Sequence, residues 1–551
     1  MENPAATPSR QTTVQVATGG TACRRVWGVA LGVALLVVGL TFARTKDYGL
    51  LGFDSYPIII ASRIQSWSDV LGNFTEKLMD GRYSGDFYRP LVNALFALDY
   101  AVWKLDPRGY QLTNALLFGG CALALFGLAR RLVGGGAVTA PLLAMLYLAL
   151  HPAQFEVVPV PPRRADLLCG LFAALSLACQ LAPRALARRW PPLVPGVLAL
   201  LAMAAKESGL VLPGLAFFAV LLYSPRRGAG ARTRHALLAS LPQVVAAGVM
   251  VAARLGVLGG LGGHADASWR ESIGRLPGVV ATVGRLVVFP QPVMQASSVA
   301  RWCAIAAAAG LACLTLLTIG RRWAGRDRPA RQELCSGLRR VGAAGQTGEN
   351  VAGRSRRPLR TGLLAVVWVV LFAAAHAGAG RIEVWYLFLP VAGMALLAGA
   401  AAEAALELLR ASVPAVRGGA LAALVPVIAL AGWHVGYCPF LQRYDEYERA
   451  TAAGRAFLDQ LRQRIGAAAD GTKVWAPPLP AWTSPQPDRP TLVGVAILAG
   501  YSVQAWAELE FPGRRIRVAT DAGTALGRPA PDEVVIVLTT IQPGFDGAPP
   551  R

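Results

Sequence analysis

The sequence predicts an all-α polytopic membrane protein with a small C-terminal extracytoplasmic α/β domain. Three observations predict it. Only 16% of the 551 residues are charged, where soluble globular chains carry about 25%. Apolar runs approaching the roughly 20 residues that a helix needs to cross a bilayer core recur along residues 1–436. Arg clusters fall in every second loop between those runs, the pattern of cytoplasmic loops. A mean hydropathy of +0.44 excludes an ordinary cytoplasmic enzyme, and equally a disordered scaffold, which needs low hydrophobicity and high charge. The net charge of +22 would suit a nucleic-acid partner, but it is absorbed by the loop pattern, and none is expected.

The expected spans are 26–43, 110–128, 137–150, 167–182, 193–205, 208–223, 236–257, 300–319, 361–377, 385–408 and 418–436, about eleven transmembrane helices in all. The first follows Arg24 and Arg25, exceeds the 7–15 residues of a signal-peptide core, and has no A-x-A site after it, so it reads as a retained span. With the N-terminus in the cytoplasm, the inner loops hold Arg130 and Arg131, then Arg184, Arg188 and Arg189, then Arg226, Arg227, Arg232 and Arg234. Segment 320–360, Gly- and Arg-rich without periodicity, reads as a flexible cytoplasmic loop.

Four segments are left on the outer side: 44–109, 151–166, 258–299 and the tail 437–551. Residues 89–105 are apolar but short and charged, and counting them as a span would put every later Arg cluster outside. They read as an interfacial helix within 44–109, with further interfacial structure in 258–299. The tail opens on a charged helical stretch, Asp445 to Arg464, then alternates short apolar runs with turns, the pattern of a small α/β domain. The expected location is the bacterial inner (plasma) membrane, the tail on its outer face.

Ionisable groups at a membrane edge are costly and therefore functional candidates. In GFDSYPIII, Asp54 stands in an apolar and aromatic setting, placed to act as a general base towards a hydroxyl; its plainer reading is a loop cap. Arg89, just before Pro90, either faces a phosphate or snorkels to headgroups. The second outer loop crowds His151, Glu156, Arg164 and Asp166 together; Asp166 suits a helix cap, and Arg164 matches the planar geometry of phosphate oxygens. Lys206 and Glu207 are either a mutually neutralised pair or part of a polar cavity. Arg381, Glu383, Trp385 and Tyr386 open a further outer helix; the two aromatics suit belt anchors, while Arg381 suits an anionic group. The eight Cys form no CxxC pair, so no metal site is read. No Walker A, HExxH or GxSxG signature occurs.

Asp54, the runs YRPLVNALFALDYAVWKLDPRGYQLTNALL and LHPAQFEVV, then RADLL, AAKESGL and WYLFLP together resemble GT-C glycosyltransferases, polytopic enzymes that use polyprenyl-phosphate sugars. Within them the sequence is most similar to the TMTC-type protein O-mannosyltransferase group and its bacterial relatives, over roughly residues 50–215 and 380–400. The resemblance implies a membrane glycosyltransferase of hexosyl or mannosyl type with Asp54 as base. It places Arg89, Arg164, Lys206 and Arg381 around the donor phosphate, with His151, Glu156, Asp166, Glu207 and Tyr386 in support. The implied partners are a polyprenyl-phosphate sugar, a hydroxyl acceptor on protein or glycan, and membrane lipid. Family members often show two adjacent acids in the first outer loop, where this chain has FDS with one, so no metal-holding pair is read and a divalent ion stays open. The chain also lacks the tetratricopeptide repeats of the TMTC proteins. The competing classes are a transporter or lipid flippase, which would favour inverted repeats and midplane charges, and a non-catalytic assembly protein acting through its tail.

Overall fold

The computed structural model describes residues 14–81, 86–134, 137–182, 193–260, 262, 269–288, 357–377, 382–412, 445–471, 473–475, 495 and 497–519. The described residues are mostly helical. Every expected span except 300–319 and 418–436, which lie outside the described residues, coincides with a helix: α1 (Val14–Thr45), α5 (Pro107–Val133), α6 (Thr139–Leu150), α8 (Arg164–Gln180), α9 (Val194–Ala205), α10 (Leu212–Tyr223), α11 (Ala229–Leu258), α13 (Arg357–Ala374) and α14 (Phe388–Ser412). Among the described residues, five helical stretches are long and apolar enough to cross a membrane: Arg24–Thr45, Pro107–Val133, Ala229–Leu258, Arg357–Ala374 and Val384–Glu407. The chain is a multi-pass membrane protein by that measure. Of the expected loop 320–360, residues 357–360 already form the first turn of α13 and the rest lies outside the described residues, as do Arg381 and the expected domain boundary at 436.

The bundle packs through α5, which lies against α1, α6 and α8, while α14 lies against α6 and α13. Because lipid is as apolar as leucine, such helices hold together by close approach and interhelical hydrogen bonds. At Gly399 of α14 an added Cβ would stand 2.6 Å from the Ala140 carbonyl of α6, so the missing side chain is what lets the two backbones meet. The Trp368 indole of α13 donates to the Leu389 carbonyl at 2.8 Å, and Tyr223 of α10 meets Thr361 of α13 at 2.6 Å.

Helix α6 has 12 residues and covers about 18 Å. It continues into His151–Pro161, a stretch that is irregular apart from the single turn α7 (Gln154–Val157) yet buried throughout. Irregular backbone persists at membrane depth only when protein satisfies its polar groups. Here Gln111 and Asn114 of α5 donate to the Pro159 and Val158 carbonyls, each at 2.9 Å, and the His151 imidazole accepts from the Ala153 amide at 3.1 Å.

Between α1 and α5 stand α2 (Ser55–Ser62), α3 (Trp67–Thr75) and α4 (Pro90–Trp103). Helix α4 has 14 residues, short of the roughly 20 that cross the core, as α6, α9 and α10 with 12 each also are. It packs on α2 and α3 and leaves Leu98 and Val102 exposed. Pro90 at its first turn fits the position where no amide donor is needed. The chain then doubles back sharply: Lys104 takes a positive φ of 53°, and Asp106 caps α5 by accepting from the Arg108 amide at 3.0 Å. Helix α12 (Trp269–Val288) buries Val283, Leu286 and Val287 and leaves Ile273 exposed.

Beyond these lie α15 (Asp445–Ala467), β1 (Lys473–Trp475), α16 (Gly500–Glu510) and β2 (Arg517–Ala519), with β1 and β2 paired in parallel. This part shares one core with residues of the segment 48–60. Tyr447 stacks on Tyr48 at 5.3 Å, Thr451 accepts from the Gly49 amide at 3.1 Å, and α16 packs on α2. Gly52 has a φ of +92°, and a Cβ there would meet the Val160 side chain at 2.8 Å. Gly52→Ala therefore combines backbone strain with a clash. A loss of about 1–3 kcal/mol is expected, read as a lower unfolding temperature in detergent.

Candidate functional site

The charged side chains predicted to lie outside do gather at one end of the bundle, and their pairing is specific. Arg89 ends the loop before α4. Its Nε and Nη2 donate to the two carboxylate oxygens of Glu207 at 3.1 and 2.7 Å, a fork-on-fork geometry that Lys cannot reproduce. Lys206 Nζ meets Asp166 Oδ1 of α8 at 2.6 Å. Arg164 Nη1 meets Asp99 Oδ2 of α4 at 2.6 Å, and Thr113 donates to the other Asp99 oxygen at 2.8 Å. Arg163 Nη1 meets Glu156 Oε2 at 2.7 Å. These pairs tie residues 89–99, 156–166 and 206–207 together.

Burial separates their roles. Arg164 and Asp99 are 0% and 4% exposed at the side chain, Lys206 and Asp166 4% and 3%, whereas Arg89 and Glu207 are 16% and 28% exposed. A charge removed from water is tolerated only when paired and hydrogen-bonded. The first two pairs thus serve as internal ties, and Arg89–Glu207 is the pair a ligand can reach. Burial works against the charge of Arg89, and the adjacent Glu207 carboxylate more than offsets this, holding the guanidinium above its ordinary range. At Glu156 burial dominates and pushes the carboxyl up against the pull of Arg163.

Aromatic rings line these charges. Lys206 Nζ lies 5.3 Å from the centre of the Tyr386 ring, which stacks on His376 at 4.3 Å with the planes 4° apart. Arg163 lies 3.8 Å over Trp385, and Arg164 4.1 Å over Phe96. Buried Tyr386 and half-buried Trp385 therefore each cover a cation. His151 is fully buried, and its Nε2 meets the Val287 carbonyl of α12 at 3.1 Å.

Three expectations are corrected. Lys206 and Glu207 do not neutralise each other: Lys206 has extended backbone (φ −154°, ψ 139°), so successive side chains point to opposite sides, one to Asp166 and one to Arg89. Asp166 is not a cap, because its carboxylate is taken by Lys206 and α8 starts with no side-chain cap bond. Arg164 is sealed against Asp99 and presents no surface to a phosphate in this structure.

Asp54 occupies the N-cap position of α2 yet makes no cap hydrogen bond with its side chain. Its Oδ1 instead accepts from the Tyr501 phenol of α16 at 2.9 Å, and the neighbouring Ser502 hydroxyl donates to the Phe53 carbonyl. The half-buried carboxylate sits at the seam between the bundle end and the C-terminal part. Asp99, Arg163, His376 and Tyr501 were missed from sequence. Asp99 had a signal, a lone acid inside an apolar helix; Tyr501 had none. Among the described residues, no group of three or more His, Cys, Asp or Glu is placed to hold a metal ion.

Fold and site together define a helical multi-pass membrane protein with its ionisable groups collected at one end of the bundle. By sequence it is similar to the TMTC-type protein O-mannosyltransferases: 37% identical over 116 residues to Protein O-mannosyl-transferase tmtc2 of Xenopus laevis, and 34% over 170 residues to Protein O-mannosyl-transferase TMTC4 of Mus musculus. These matches cover 21% and 27% of this chain and 14% and 23% of the relatives, so the chain spans less than a quarter of the length of either. No family model matches. Among solved structures, ArnT from Cupriavidus metallidurans bound to undecaprenyl phosphate aligns over 89% of both chains at 15% identity with a TM-score of 0.45. The oligosaccharyltransferase AglB from Archaeoglobus fulgidus, in complex with an inhibitory peptide and a dolichol-phosphate, aligns over 90% of this chain and 64% of its own at 12% identity with a TM-score of 0.42. Overlaps this loose carry no argument about fold or ligand.

Proposed function

We propose that this chain is an integral membrane glycosyltransferase that moves a sugar, of hexosyl or mannosyl type, from a polyprenyl-phosphate donor to an acceptor hydroxyl on protein or glycan. The observation that carries the reading is the bundle end itself. The solvent-reached Arg89–Glu207 pair and the half-buried acid at Asp54 support it, together with the partial sequence similarity to O-mannosyltransferases. The reading includes about eleven spans in a bacterial inner membrane, the N-terminus in the cytoplasm and residues 437–551 outside as an α/β domain.

In the proposed reaction the acceptor hydroxyl gives its proton to Asp54 as its oxygen bonds to the anomeric carbon. The bond from that carbon to the phosphate oxygen breaks with inversion, and polyprenyl phosphate leaves. Negative charge grows on the leaving phosphate, where a guanidinium held in place stabilises the transition state without reorganising. Arg89 suits that task, exchanging one carboxylate oxygen of Glu207 for a phosphate oxygen; Lys206 and Arg381 are the further cations of the proposal, with Arg164 acting through its ion pair to Asp99 of α4. A transporter or flippase would call for charges near the midplane, whereas the ion pairs described here join segments at one end of the bundle.

The test is transfer of radiolabelled sugar from a synthetic polyprenyl-phosphate donor by the full chain in liposomes. Arg89→Ala is expected to raise the donor KM by about tenfold or more, in line with about 1.5–3 kcal/mol for a charge-assisted hydrogen bond, while Arg89→Lys recovers only part of it. No transfer to any protein or glycan hydroxyl acceptor, with donor flipped across the bilayer intact, would overturn the proposal in favour of a flippase.

A further inference from the structure

The contact between Asp54 and Tyr501 joins residues 447 positions apart, one on the first outer loop and the other on the first turn of α16. The hydroxyl of Ser502, next in the chain, donates to the Phe53 carbonyl. Two successive residues of one helix thus hold two successive residues of the acidic loop. Neither contact is needed to close a core: Trp506, Val503 and Leu509 of α16 are buried on their own account, and α2 buries Tyr56, Ile58, Ile59 and Ile60. The phenol is spent on the carboxylate of Asp54.

We propose that Tyr501 is a positioning residue for the Asp54 carboxylate, so that the C-terminal part completes the reaction site of the membrane bundle. The inference rests on reading Asp54 as the base. A base works only within hydrogen-bond reach of the proton it takes, and a free Asp rotates among staggered side-chain positions. The phenol holds Oδ1 and with it the orientation of the carboxylate. It also favours the ionised carboxylate, since a hydrogen bond to the charged form stabilises that form.

The experiment compares Tyr501→Phe, Ser502→Ala and Asp54→Asn in the full chain, following transfer against pH. Tyr501→Phe removes one oxygen and is expected to lower kcat about tenfold with donor KM unchanged. It should also move the acid limb of the kcat profile to higher pH, because a carboxylate deprived of that bond protonates more readily. Ser502→Ala, which loses a bond to backbone only, should lower the unfolding temperature and leave the acid limb where it was. An unchanged kcat and acid limb in Tyr501→Phe, with Asp54→Asn inactive, would overturn the positioning role and spare the base. Full transfer by Asp54→Asn would overturn both.

Discussion

Asp54→Asn is expected to reduce sugar transfer about a thousandfold, within the 10²–10⁴ range that a positioned general base contributes, while expression, membrane insertion and unfolding temperature stay at the level of the parent chain. The separation is possible because the amide keeps the shape of the carboxylate. Its oxygen still accepts from the Tyr501 phenol that now meets Oδ1 at 2.9 Å, so the seam between α2 and α16 stays closed. What the amide lacks is the capacity to take a proton from an acceptor hydroxyl. Single-turnover transfer with a saturating lipid-linked donor reads the chemical step directly, and donor binding measured alongside should be unchanged. A variant transferring sugar at the parental rate would remove Asp54 from the reaction.

The helical bundle was legible because hydropathy acts over whole segments, and the expected runs that fall on described residues coincide with helices. Helix α4 was legible as a helix by the same apolar signal. Pairing was not legible. The partners Arg89 and Glu207 lie 118 positions apart and Arg164 and Asp99 65 apart, and nothing local in either segment names the other. Adjacency misled at Lys206 and Glu207, since neighbours in extended backbone diverge. The distinction between a cation that faces a ligand and one sealed in an ion pair is set by burial in three dimensions, which is why Arg89 and Arg164 looked alike in the sequence. Tyr501 was invisible because a Tyr at the first turn of an α/β segment has many ordinary uses, and only the packing of α16 on α2 gives it this one.

That difference between the two arginines leads to the second large effect. Arg164→Met alone is expected to cost about 3–5 kcal/mol, because it strands the Asp99 carboxylate in a buried site with its charge unanswered. Asp99→Leu alone should cost a similar amount by stranding the guanidinium, which is fully buried. The double variant removes both charges and replaces them with apolar groups of comparable volume, a change that is often neutral or stabilising for buried pairs. Thr113, which loses Asp99 as its acceptor, turns its hydroxyl to the carbonyl one helical turn earlier, as Thr in helices commonly does. Both stability and transfer should therefore return in Arg164→Met with Asp99→Leu, whereas no second substitution at Glu207 should restore the donor affinity lost in Arg89→Ala. Thermal unfolding in detergent and donor KM are the two measurements. A double variant that folds as firmly as the parent yet no longer binds the donor would show that Arg164 leaves Asp99 to meet the phosphate during the reaction, and the division between internal tie and ligand-facing cation drawn from exposure would then be wrong.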